Sequence, residues 1–417
     1  MGLSGGSDST LALLVATKVR ELNPKFSILA VHCIHGLDDD DPIWLAHCQK
    51  LCQRLNVKLV TPRLNIVYGN GVSPEDSSRK ERYAALLSNL DKDGYLLLGH
   101  QADDQVENFI LALKRGSGPY GLSGMRNLVE DERGRIIRPL LSLNKKTVED
   151  IIKALGFDFV YDISNSYMKF ERNFIRLKVL PLLRTRFKGI DKAILRSSRL
   201  CAYEHDLAYR YAKEKADECI QDNRLDIKKL DINDAALATH ILRIFILKYV
   251  AMPPDFSIIE DSLKLCSISN DQEGKIVLDD KYILRRYLNY LYITQDYIMP
   301  ERQCYSLKLF DTLCLGSFKY SISPLDKDTL KHNDNSCIFN ADEVLLDFTY
   351  TGKLKLKPLK RVHKREIKKL FGEYYIPYFL RGSKPIVKDR DGTILGMGDM
   401  FTSKDDNFKY YLKIESI

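Results

Sequence analysis

The sequence predicts an α/β protein: a parallel sheet covered by helices at the N-terminus, then a helical middle domain and a small α+β C-terminal domain. Three observations carry this expectation. The segment Ser4-Gly5-Gly6-Ser7-Asp8-Ser9 runs directly into apolar residues at helical spacing. From Phe26 to about Tyr161, short apolar runs alternate with amphipathic stretches. From Asp191 the pattern is helical, and past Lys281 it changes to period two.

The opening segment reads as an anion cradle. Two adjacent glycines let backbone N–H groups approach phosphate oxygens, and the hydroxyls of Ser4, Ser7 and Ser9 add donors. Leu11, Val15, Val19 and Leu22 fall on one face of a predicted helix that ends at Asn23-Pro24. Its N-terminus directs a partial positive charge at the loop. G-x-x-x-x-G-K-[ST] is absent and this loop is not G-x-G-x-x-G, which argues against a P-loop NTPase and a dinucleotide fold. A carboxylate in such a loop, Asp8, makes sense if Mg²⁺ bridges it to phosphate; the plain alternative is an acidic helix cap.

The alternating stretch contains FSILAVHC, a helix from Trp44 to Leu55, VKLVT, a helix around Glu81 to Leu90, and YLLLGH. Strands alternating with helices predict βαβ units, with ligands gathering at the carboxyl ends of the strands. Only Met1, Gly2 and Leu3 precede the cradle, so the strand that should hold it is expected to be a stub with a loosened grip on nucleotide. Strand YLLLG leads into His100-Gln101-Ala102-Asp103-Asp104-Gln105-Val106-Glu107. Helical spacing there sets Asp104 and Glu107 one turn apart on one face, where carboxylates could grip an ammonium group or simply cap the helix.

Beyond these motifs, helical segments run from Asp191 to about Cys266, strand-like segments dominate from Cys304 to Leu356, and a short basic helix from Lys364 to Phe371 precedes the last strands. Boundaries are therefore expected near residues 200 and 300, giving domains 1–200, 201–300 and 301–417. The formal charge is +8 on 417 residues, and nine Lys or Arg crowd between Lys353 and Lys369, a concentration suited to a polyanion or to a solvated strand face. Nine cysteines without a C-x-x-C pair argue against a disulfide framework and a zinc ribbon. Cys48 and Cys52 share a helical stripe with Leu45 and Leu55 and are expected in the core. No apolar run is long enough to span a membrane and no signal peptide is visible, so a cytoplasmic protein is expected.

Taken in order, S-G-G-x-D-S, H-x-x-D-D-Q-x-E, L-x-R-G-S-G-x-x-G-L-x-x-M, R-P-L-L and D-x-S-N…R-N-x-x-R resemble the tRNA(Ile)-lysidine synthetase family of PP-loop ATP pyrophosphatases, from Ser4 to about Leu183. KKLFGEYYIPYFLRGSKPIV resembles that family's last domain; Ile34 in VHCIHGL departs from it, standing where a polar residue is expected. The resemblance implies an adenine nucleotide alpha-hydrolase-like PP-loop fold. It also implies ATP-driven adenylation of the wobble cytidine in the CAU anticodon of an isoleucine tRNA, followed by displacement of AMP by L-lysine.

The same resemblance implies roles. Ser4, Gly5, Gly6, Ser7, Asp8 and Ser9 would bind ATP, with Asp8 on Mg²⁺; Asp104 and Glu107 would bind lysine, and Asp104 would take its proton. Arg82 or Arg79, and Arg172, would neutralise phosphate charge. Arg115, Lys360, Arg361, Lys364, Arg365 and Lys368 would contact tRNA, and the glycine loop 116–124 would lie over the cytidine. Two other readings stand beside this one. A PP-loop tRNA 2-thiocytidine synthetase shares the first motif but usually carries the C-x-x-C pairs missing here, and a tRNA-binding protein that has lost catalysis would not need Asp8, Asp104 and Glu107.

Overall fold

A computed structural model describes residues 1–36, 40–65, 74–131, 134–162, 166–268, 274–325, 336–359, 361–403 and 408–417. By contacts the chain divides into two compact units, Met1–Ala208 and Tyr209–Ile417. The boundary expected near residue 300 falls inside the second.

The first unit is a mostly parallel sheet. Strand β1 (Leu29–Val31) pairs in parallel with β2 (Lys58–Val60). On the other side β3 (Tyr95–Leu97) pairs in parallel with β5 (Gly134–Ile137), which pairs antiparallel with β4 (Leu128–Asp131). Residues 1–3 join the two halves. Leu3 donates to Val31 O, Val31 donates to Met1 O, and Gly2 donates to Leu97 O at 3.1 Å. The stub is short but is hydrogen-bonded on both sides, so the loop it carries starts from the middle of the sheet.

Strand residues alternate between two cores. Leu3, Ala30 and Leu140 pack with helices α1 (Ser7–Leu22), α2 (Asp41–Arg54) and α6 (Lys145–Ala154) through Leu11, Ala12, Cys48, Leu51, Cys52, Val148 and Ile152. Val31, Leu96, Leu98 and Ile136 face the other way, onto Leu86 and Tyr83 of α3 (Pro74–Leu87). This period-two split is what a sheet covered on both faces requires. Cys48 and Cys52 are buried core thiols as expected, pushed up to about 12 and about 11 by burial. The apolar stripe of α1 is a partial correction. Leu11 is buried, but Val19 and Leu22 are exposed, because the helix is enclosed on several sides at its first turns (Leu11, Ala12, Leu13) and its last turns reach solvent.

Beside the sheet, α4 (Ala102–Lys114) packs through Val106 on Ile175, Leu180 and Ile194. These belong to a continuous helical rod made of α7 (Glu171–Phe174), a π-helical turn Ile175–Val179 and α8 (Leu180–Arg186), and to the long α9 (Ile190–Cys219). The glycine loop between α4 and β4 holds the short α5 (Pro119–Leu122).

The second unit holds the helices Ala235–Leu247 and Phe256–Ser267 against a five-stranded antiparallel sheet that includes Tyr282–Tyr287 and Tyr290–Gln295. Most of the regular structure between residues 201 and 300 is helical, and the period-two stretch YILRRYLNYLYI supplies two strands of the sheet. A five-stranded and a four-stranded antiparallel sheet follow, sharing a core of Leu307, Phe318, Tyr320, Val344, Leu346 and Leu412. The basic helix Ile367–Glu373 buries Ile367, Leu370 and Phe371 against Met397 and Phe401.

Candidate active site

The cradle is shaped by glycine. Gly5 has φ +88°, a conformation open chiefly to glycine, and a Cβ there would stand 3.2 Å from Cys48 Sγ. Its carbonyl accepts from Val160 N–H at 3.0 Å. Gly6 is the N-cap of α1 and brings no side chain to cap it, which leaves the first-turn N–H groups for a ligand. Ser9 Oγ donates to Gly6 O at 3.0 Å, accepts from Ser4 N–H at 3.2 Å and lies 3.1 Å from Ser4 Oγ, tying the loop to the helix. Gly99 lets the end of β3 approach this turn: a Cβ there would lie 2.7 Å from the Asp8 carbonyl.

Asp8 is three-quarters enclosed. Its Oδ2 accepts from Lys145 Nζ at 3.0 Å, and the same ammonium donates to Ser7 Oγ at 2.7 Å. Its Oδ1 is buried and has no hydrogen-bond partner. Burial pushes the carboxyl above its usual range, Lys145 pulls it back, and Asp104 raises it further. An orphaned acceptor on an acidic group facing a phosphate-type loop fits a hard cation. Among the described residues no cluster of three or more His, Cys, Asp or Glu stands at metal-binding spacing. Asp8 would therefore share any Mg²⁺ with phosphate oxygens.

The second motif forms the N-terminus of α4. The capping reading of it is realised on Asp104. Asp104 Oδ2 accepts from Gln101 N–H at 2.9 Å while Gln101 accepts from Asp103 N–H, a reciprocal cap. Asp104 Oδ1 is turned toward Arg172 and Arg176, at 3.5 and 3.9 Å. Glu107 is 1% exposed: Arg172 Nε donates to its Oε2 at 2.7 Å and Arg176 Nε to its Oε1 at 2.6 Å. Glu107, expected on lysine, is held here by two guanidinium groups. Arg172, expected on phosphate, also donates to Asn108 Oδ1 at 3.0 Å and belongs to this carboxylate network.

Lys145 joins the two motifs. Its backbone N–H donates to Asp103 Oδ2 at 2.8 Å, and Arg184 donates to Asp103 Oδ1 at 2.8 Å, so α4 and α6 share one carboxylate next to the cradle. His100 lies at the same strand end. Burial, then Arg138, Arg172, Arg79 and Arg82, push its pKa down to about 3, and its Nδ1 is buried without a partner. The imidazole is neutral. Arg79 and Arg82 are exposed on α3, with the Arg79 guanidinium 5.6 Å from the Tyr83 ring. Ile34, the departure from the motif, pairs through its backbone: it donates to Pro62 O and accepts from Leu64 N–H.

The glycine loop is tied to α4. Gln105 Nε2 donates to Met125 O and Met125 N–H donates to Gln105 Oε1, both at 2.7 Å. Arg115 caps the end of α4 and is exposed. In the second unit Lys364 and Lys368 are exposed, whereas Arg361 and Arg365 both end on Glu373, at 2.5 and 2.9 Å. Lys360, and Ser164 and Asn165 of the D-x-S-N motif, lie outside the described residues.

Sequence reasoning assigned no role to Lys145 or Arg176. Arg176 carried a signal, since it closes R-N-x-x-R four residues after Arg172 and so shares a helix face with it. Lys145 carried none beyond opening a helix after R-P-L-L; its side-chain partners are more than 130 residues away.

Two family descriptions match the chain: a PP-loop domain over residues 1–183 and a TilS substrate C-terminal domain over residues 346–410. The chain is 32% identical over 408 residues to a tRNA(Ile)-lysidine synthase of Vibrio parahaemolyticus, covering 97% of this chain and 91% of that protein. It is likewise 32% identical over 412 residues to a tRNA(Ile)-lysidine synthase of Buchnera aphidicola, covering 96% and 89%.

Proposed function

Because this chain belongs to the tRNA(Ile)-lysidine synthase family, we propose that it joins L-lysine to the wobble cytidine of an isoleucine tRNA bearing a CAU anticodon. It is an ATP-using, tRNA-modifying enzyme. In the first step the cytidine O2 attacks the α-phosphorus of ATP and pyrophosphate leaves. In the second the lysine ε-amine attacks C2, the C2–O2 bond breaks, and AMP departs with the oxygen. The first step is needed because a base carbonyl oxygen leaves poorly, whereas an adenylate leaves readily.

The geometry supports the following roles. Residues 4–9 and the open N-terminus of α1 bind the phosphates. Asp8 would hold Mg²⁺, which would supply charge neutralisation at the phosphates. Asp104 receives the lysine amine and takes its proton; an ammonium of ordinary pKa about 10.4 must lose that proton to attack. Glu107, Arg172 and Arg176 fix Asp104 from behind, and Arg82 and Arg79 draw phosphate charge toward the strand end beside His100. Cytidine in a single-stranded anticodon loop is turned out at little cost. Arg115 and the exposed lysines of the C-terminal region hold the rest of the tRNA through salt-sensitive contacts. A tRNA substrate implies work in the cytoplasm; among the described residues no helix is long and apolar enough to cross a membrane.

The observation that carries this reading is the convergence of Ser7, Asp8 and Asp103 on Lys145, which joins the phosphate loop and the acidic helix start in one site. Incubating isoleucine tRNA with ATP, Mg²⁺ and lysine and analysing its nucleosides tests it. Lysidine is expected from the native chain, whereas Asp104→Asn should bind tRNA normally and form almost none. Equal turnover by the variant would remove Asp104 from its role.

A further inference from the structure

We propose that Lys145 is a triphosphate ligand of this site that competes with the divalent cation for Asp8, so that nucleotide binding makes its ammonium exchange Asp8 for phosphate oxygens. This rests on the function proposed above and adds to it a residue and a binding mechanism.

The base of the side chain is fixed and its head is not. The Lys145 N–H is held by Asp103, and Asp103 by Arg184. The preceding Asn144 caps the same helix, its Oδ1 accepting from Thr147 N–H and Thr147 Oγ1 at 2.8 and 3.0 Å. The Lys145 side chain is nonetheless 45% exposed, and its ammonium reaches across to the first turn of α1. Both groups it touches, Ser7 Oγ and Asp8 Oδ2, border the uncapped N–H groups where a phosphate chain would lie. A point charge on a flexible stem suits that task.

The charge balance explains the competition. One carboxylate oxygen of Asp8 is satisfied by Lys145, and the other is a buried acceptor with no partner. A divalent cation at Asp8 would satisfy Oδ1 but would repel an ammonium 3.0 Å from Oδ2. The two coexist only if Lys145 turns to an anion, and the β- and γ-phosphates supply one. A purely structural ion pair would instead predict that removing Lys145 loosens everything at the site alike.

Titration calorimetry of the full chain with Mg²⁺ and α,β-methylene-ATP, which cannot be cleaved between those phosphates, is compared with AMP. Mn²⁺ binding without nucleotide is followed by electron paramagnetic resonance. For Lys145→Ala the analogue should bind about tenfold more weakly or worse, as expected for a lost charged contact. AMP affinity should barely change, Mn²⁺ alone should bind more tightly than to the native chain, and Lys145→Arg should restore analogue binding. Unchanged analogue affinity, equal loss of analogue and AMP, or unchanged or weaker Mn²⁺ binding would each overturn the proposal. If Lys145→Ala misfolds, Lys145→Gln, which keeps most of the stem, is judged by the same criteria. A native chain that fails to bind the analogue at all would overturn the proposed function, and this inference with it.

Discussion

Glu107→Ala tests how the acidic site is built. The carboxylate is 1% exposed and accepts hydrogen bonds from Arg172 and Arg176, at 2.7 and 2.6 Å. Removing one partner of a buried ion pair costs about 3–5 kcal/mol, because the remaining charge stays desolvated. The arginine side chains are 26% and 34% exposed, and Asp104 is close to both, so part of that cost is relieved and the lower end, about 3 kcal/mol, applies. For a unit of this size that corresponds to a midpoint lower by about 6–12 °C in the transition of the N-terminal unit. Calorimetric scanning of the full chain measures it. The cycle with Arg176→Met should show a coupling of about 1 kcal/mol or more, since an arginine that has lost its carboxylate contributes little. A single variant melting within about 1 °C of the native chain would refute the idea that this pair fastens α4 to the rod.

Two further predictions concern pH and salt. His100 is held neutral, its folded pKa depressed to about 3 against an unfolded value near 6.5, so the unfolded chain binds more protons between those values. Its contribution to stability is therefore complete above pH 6.5 and lost on acidification, by about 2 kcal/mol at pH 5, and His100→Gln should flatten that part of the urea-stability profile; an unaltered profile contradicts the assignment. The double variant Lys364→Gln/Lys368→Gln should leave thermal stability unchanged, since both lysines are exposed. It should also lower the salt slope of tRNA binding, measured between about 50 and 200 mM salt, by about 1–2; an unaltered slope removes both lysines from the interface.

Much of the first unit was legible because its signals are local. The glycine pair, the alternation of short apolar runs with helices, and the acidic helix start each act within a few residues, and each is in its expected element. Three things were not legible. The stub of residues 1–3 looked too short to hold a loop, but its backbone is paired with β1 and β3, and no local pattern reports a strand's neighbours. Val19 and Leu22 keep helical spacing yet face solvent, because periodicity records which residues share a face and not how far the sheet beneath extends. Glu107 read as a ligand for a cation, and it is one, but the cations are Arg172 and Arg176 of its own chain, brought in from 65 and 69 residues away.

The π-helical turn Ile175–Val179 sets the phase of the rod that contains it. Upstream, Arg172 addresses Glu107; downstream, Arg184 addresses Asp103, one turn earlier on α4, and Asp191 at the start of α9. An ordinary α-helical path would need one residue fewer to close that turn, rotating all later side chains by roughly 100°. Inserting a further residue there would leave the upstream arginine docked and swing the downstream one off its anchors, whereas deleting one lets an α-helical turn close with the downstream phase kept.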